Sequence, residues 1–164
     1  MEELVRSLYA NDDDHDAVLA ACQTLARLTA GEQPKKAAAI VKAGGIKAVL
    51  AAGAKHCGSA QVAEQVCSVL RSLTYHTDEN EAAVAAAGGI EAVVRVMGEH
   101  QANAAVMQQA CWALGNIGWS DEALQQRIKD AGAEPLVRAA VAAPDATDYT
   151  KREGQRLLDK LGKV

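Results

Sequence analysis

Apolar residues along the chain recur every three or four positions, in short blocks separated by glycines or by clusters of small polar residues. That spacing puts them on one side of an α-helix. The first block, residues 2–10 (EELVRSLYA), carries Leu4, Val5 and Leu8 on one side. Asn11 to Asp14 then supply a turn and an N-cap. The next helix is predicted from about Asp16 to Ala30, with Val18, Cys22, Leu25 and Leu28 inward. Gly31 ends it, and Pro34 suits the first turn of its successor. The same spacing predicts helices over Lys35–Ala43, Ile46–His56, Ala60–Tyr75, Glu79–Ala87, Ile90–His100, Asn103–Trp119, Asp121–Ala131, Glu134–Ala142 and Thr147–Gly162. No run of β-branched residues alternates with a period of two, so the expected class is all-α.

The blocks repeat. Ala43-Gly44-Gly45-Ile46 returns as Ala87-Gly88-Gly89-Ile90 and again as Ala131-Gly132-Ala133-Glu134, a step of 44 residues each time. Cys22, Leu25 and Leu28 return as Cys67, Leu70 and Leu73, then as Cys111, Leu114 and Ile117; Leu158 and Leu161 continue the series beside Gln155. The first step of this second marker is 45 residues, which places one gained residue near Gly31-Glu32-Gln33-Pro34. Each unit reads as short helix, tight glycine corner, helix, turn, long helix. Such a unit cannot bury its apolar stripe alone; stacking on its neighbours makes a continuous core along a curved rod. One domain over 1–164 is expected, with a partial unit over 1–30 and full units over 31–75, 76–119 and 120–164. Leu4 aligns with Val49, Val93 and Val137, so the chain is expected to begin inside a unit, as a trimmed chain or one preceded by another copy does.

Composition narrows the function. Aromatics make up 3% of the chain and Phe is absent, so the helices pack through alanine and leucine. A net charge of −4 argues against nucleic acid as a partner, since phosphates need a basic face. No apolar run is long enough to insert in a membrane, and no signal peptide opens the chain. Three of the four cysteines hold matching positions on apolar faces and read as small buried hydrophobes of a reducing compartment, cytoplasm or nucleus. The ends differ in sign. Residues 1–16 hold six acidic groups against Arg6, and residues 147–164 hold five basic groups against three acidic.

The AGGI, AGGI and AGAEPLV corners and the ACWALGNI helix resemble the armadillo repeat family, over nearly the whole chain. The resemblance implies a right-handed α-solenoid whose third helices line a concave groove. It also implies protein–protein interaction, without catalysis, through binding of an extended peptide or partner protein. In peptide-binding members a Trp and an Asn four residues apart grip the ligand, and Trp112 and Asn116 match them. The Asn amide offers a donor and an acceptor to an extended backbone; the Trp face receives Lys or Arg side chains. Gln108 and Trp119 extend the same ladder. The matching positions elsewhere depart from the pattern: Gln23 and Arg27, Ser68 and Ser72, Arg156 and Lys160, with Glu64, Tyr75 and His76 around the second pair. One pair contributes about two hydrogen bonds at ~1 kcal/mol each and a cation–π contact of roughly 1–2 kcal/mol, which alone predicts a weak site. The competing reading packs Trp112 on the next repeat and bonds Asn116 to local backbone. Arg27, Arg156 and Lys160 suit either an acidic or phosphorylated segment or a solvated helix face.

Catalytic chemistry finds no support. His56 and Cys57 adjoin in sequence, and neighbours on a helix do not face each other. His56 and His100 share a repeat position near a helix end, where an imidazolium caps free carbonyls. No zinc spacing occurs, and the glycine corners lack the Lys-Ser/Thr tail of a phosphate loop. No metal, cofactor or catalytic residue is expected. The alternative to groove binding is a structural scaffold fragment that stacks end to end, acidic end on basic end.

Overall fold

The computed structural model describes every residue except Glu32. Its helices are α1 (Glu2–Ala10), α2 (His15–Thr29), α3 (Pro34–Lys42), α4 (Gly45–Lys55), α5 (Ala60–Leu73), α6 (Asp78–Ala86), α7 (Gly89–Glu99), α8 (Ala104–Ile117), α9 (Glu122–Asp130), α10 (Ala133–Ala142) and α11 (Asp148–Leu161). Each long third helix opens on a side-chain cap: Asp14, Ser59, Asn103 and Thr147 accept backbone N–H bonds from the first turns of α2, α5, α8 and α11. The third helices lie side by side in that order, and the second helices α1, α4, α7 and α10 form a parallel layer behind them.

The corners between first and second helices work as their glycines require. Gly44, Gly88 and Gly132 have φ of +82°, +85° and +84°, a left-handed conformation that suits residues without Cβ. The chain bends there by 74° between α3 and α4. The following residue differs among units. A Cβ on Gly45 would come within 2.8 Å of the Ile40 carbonyl oxygen, and one on Gly89 within 2.8 Å of that of Val84. Ala133 fills the third such place and is fully buried.

Apolar ladders run through the stack. Cys22, Cys67 and Cys111 are fully buried, as are Leu25, Leu70 and Leu114. Val5, rather than Leu4, takes the buried place that Val49, Val93 and Val137 hold, and Leu8 matches Ala52, Val96 and Ala140. The shift has a simple origin: nine positions separate Val5 from the Asp14 cap, whereas ten separate Val49 from Ser59. The residue gained near Gly31–Pro34 falls in a segment that includes Glu32, outside the described residues. Hydrogen bonds close the seams. His56 Nε2 meets the Asp12 carbonyl at 2.8 Å and His100 Nε2 the Cys57 carbonyl at 2.7 Å. Both imidazoles thus reach back one repeat to the turn of the unit before. Asn80 donates to the Leu73 carbonyl and Gln125 to that of Gly118, satisfying the carbonyls left open where a third helix ends.

Candidate functional site

Three adjoining depressions of about 230, 310 and 240 Å³ follow the third helices. Tyr75 lines all three. The first depression holds Gly31, Pro34, Ser72 and His76. The middle one is bounded by Arg71, Ser72, Trp112 and Tyr149. The third collects Trp112, Asn116, Trp119, Glu81, Arg152 and Arg156.

α8 holds Trp112 and Asn116 one turn apart, both half-buried. Trp112 is not an open face. The Arg71 guanidinium sits 4.3 Å from its ring centroid, and the Tyr149 ring lies 5.0 Å away at a tilt of 35°. Arg71 also donates to Gln109 Oε1 at 2.9 Å, and burial pushes its ionisation downward. Asn116 donates through Nδ2 to the Arg71 carbonyl at 2.9 Å. That bond joins α8 to the repeat before it and leaves a second N–H and the amide oxygen of Asn116 for other partners. Gln108 accepts from Thr147 Oγ1 at 2.6 Å, so it too links neighbouring repeats.

Two expected groove residues lie just past their helices. α5 ends at Leu73 and α8 at Ile117, so Tyr75 and Trp119 stand in the turns that follow. Thr74 and Gly118 are the C-caps, and a Cβ at Gly118 would meet Ile128 at 2.9 Å. Trp119 still faces the groove, 40% exposed. Arg156 stands 4.6 Å and Lys160 3.9 Å from its ring centroid, and Lys160 donates to its carbonyl. His76 completes this corner at φ +52°, its ring edge-on to Tyr75 and Trp119. Gly31, one 45-residue step earlier, has φ +74°. Ser72 donates to the Ser68 carbonyl at 2.9 Å, which takes up its hydroxyl proton. Arg27 is exposed on α2, and Glu64 and Ser68 are half-buried on α5, all outside the three depressions.

The structure adds residues that the repeat pattern did not single out. Arg71, Tyr149 and Arg152 join the stack, with Arg152 4.2 Å over the Tyr149 ring. Glu153, 7% exposed, accepts from Arg152 at 2.9 Å and from Arg156 at 2.8 Å. Glu81 is 2% exposed, and its Oε1 has no hydrogen-bond partner among the described residues. Burial, reinforced by Asp78, pushes its carboxyl up to about 7. The signal for Glu81 lay in the 44-residue register, where Ala37 precedes it and Gln125 follows, both buried. Away from the groove, burial pushes the thiols of Cys22, Cys67 and Cys111 up to about 12, so these sulfurs stay protonated. No single helix among the described residues is long and apolar enough to cross a membrane.

A family model for the Armadillo/beta-catenin-like repeat matches residues 77–118, from the start of α6 to the end of α8. No curated protein matches the sequence. Among solved structures, two engineered proteins align with 25% and 23% identity and TM-scores of 0.83 and 0.85, each over 99% of this chain. The chain spans 62% and 64% of their lengths. A designed armadillo repeat protein in complex with the peptide (KR)4 aligns at 18% identity and a TM-score of 0.80, over 99% of this chain and 69% of its own.

Proposed function

Starting from an armadillo-like repeat solenoid, we propose that the chain is a non-catalytic module that binds an extended segment of a partner protein along its third helices. One observation carries the reading. Three adjoining depressions follow the direction of repeat stacking and meet at Tyr75, with Trp112 shared by two of them and Asn116 lining the last. An extended strand advances about 3.3 Å per residue, so such a track suits several consecutive ligand residues. Asn116 retains an acceptor and a donor for a peptide backbone. The designed neighbour with its (KR)4 peptide lends the fold a precedent for this mode.

A library of short peptides displayed to the wild-type protein and to Trp112→Ala/Asn116→Ala tests the proposal. Peptides bound by the first and lost in the second, with helicity retained by circular dichroism, support groove binding. Equal binding by both proteins refutes it. A second reading, end-to-end stacking through unlike charge, draws on the acidic residues 12–16. Lys55 already pairs with Asp12 at 3.0 Å and Asp13 at 2.6 Å, which reduces the charge left for a second copy. Light scattering at low salt separates the two readings, since stacking requires species larger than one chain.

A further inference from the structure

The groove's own cations already occupy its aromatic faces. Arg71 covers Trp112, Arg152 covers Tyr149, and Arg156 with Lys160 covers Trp119. A ligand Lys or Arg seeking those rings would have to displace a like charge from each. The side chains of Arg152 and Arg156 remain 56% and 46% exposed. A guanidinium carries five N–H donors, and the pairs with Glu153 take one from each of these two arginines. Among the described residues, three arginines and two carboxyl groups, Glu153 and the buried Glu81, line these depressions, with Lys160 against Trp119 as a fourth cation, on a chain whose net charge is −4. The local excess of positive charge opposes the sign of the whole molecule.

We propose that the segment this groove takes is acidic, presenting carboxylates or phosphates to Arg71, Arg152, Arg156 and Lys160. The inference rests on the groove reading above and gives it a ligand class. Arginines held over rings are pre-organised to meet carboxylate or phosphate with two parallel hydrogen bonds. Their stacking keeps them in place without a ligand, so little side-chain freedom is lost on binding. The same stacking turns away the Lys/Arg peptide that the designed neighbour holds.

The test compares fluorescein-labelled (DE)4, (KR)4, (SG)4 and fully serine-phosphorylated (SG)4 by anisotropy. Wild-type protein is expected to bind (DE)4 or phosphorylated (SG)4 at least about tenfold tighter than (KR)4 and unmodified (SG)4. Raising NaCl from about 50 to about 300 mM should weaken that binding several-fold. Comparing the two anionic peptides shows whether carboxylate or phosphate is preferred. Arg152→Gln/Lys160→Gln should lose about tenfold for the acidic peptides; Arg156 is kept so that buried Glu153 retains a partner, and circular dichroism checks the fold. Tighter or equal binding of (KR)4 overturns the proposal. So does acidic-peptide binding that survives the double neutralisation, or the absence of binding by every peptide. A (KR)4 signal lost in Trp112→Ala/Asn116→Ala would keep the groove and discard the acidic ligand. Binding untouched by that variant for every peptide would discard the groove itself.

Discussion

The α8–α11 half of the groove and the α2–α5 half share one backbone plan and differ in what faces outward. In the first, Trp112, Tyr149 and Arg152 form a stack that Arg71 joins by reaching across from α5, and Trp119 carries Arg156 and Lys160. In the second, the equivalent helix positions are Gln23, Arg27, Ser68 and Ser72, and the Ser72 hydroxyl is turned back onto its own helix. The capping of the third helices is nearly the same in both halves, by Asp14 and Ser59 or by Asn103 and Thr147. A repeat can therefore hold its architecture constant while a few surface positions decide whether it grips anything. The halves also differ beneath the surface, where Ala37 in one is replaced by Glu81 in the other.

That buried difference gives the largest expected effect. Glu81 ionises at about 7 in the fold against 4.5 in the open chain. The folded state therefore favours the protonated acid. Its contribution is fully present below about pH 4.5 and is lost as pH rises through about 7, a change on the order of 3 kcal/mol. Urea unfolding should show Glu81→Gln more stable than wild type near pH 8, with the gap closing near pH 4.5. A gap that does not vary with pH would show that the two halves do not differ through this carboxyl.

Binding comes next. For any peptide the groove takes, Trp112→Ala/Asn116→Ala should weaken affinity more than about thirtyfold, ~2 kcal/mol. Ser68→Ala/Ser72→Ala should change it less than about twofold. Equal losses would erase the functional distinction between the halves. Asn116→Ser, which copies Ser72 into α8, should cost about 1 kcal/mol of stability by removing the bond to the Arg71 carbonyl; thermal unfolding measures it. The smallest effect is a near-equality. His56→Ala and His100→Ala each remove one seam bond of similar length, and their stabilities should agree within about 0.5 kcal/mol. A wide gap would mean that the halves also diverge at the seams.

The fold was legible because its determinants are local and periodic. Glycine at 44, 88 and 132 specifies the corner, small polar residues specify the caps, and the three-to-four spacing specifies the buried side. The register of the third helices, carried back across α1, points to Leu4 instead of Val5, because the end of α1 is one residue shorter than that of α4. The site was half legible. Trp112 and Asn116 stood out as a pair, yet their partners did not. Arg71 lies three residues past Ser68 on α5 and reads as a solvated position; only the stacking of α5 on α8 brings it over the indole. Tyr149 comes from the first turn of α11, the third helix of the next unit, 37 positions beyond Trp112, and no local pattern links the two. Glu81 sits in an acidic first turn with Asp78 and Glu79, where carboxylates are normally solvated, and only its register with the buried Ala37 and Gln125 signals its burial.

The buried cysteines have a use of their own. α2, α5 and α8 each carry one sulfur sealed from water and kept protonated, while Cys57 is half-buried in the turn between α4 and α5. An alkylating reagent should reach Cys57 in the intact protein and the other three only as their helices separate. Three successive units thus carry built-in clocks, and the order in which they are modified would trace the direction from which the rod frays.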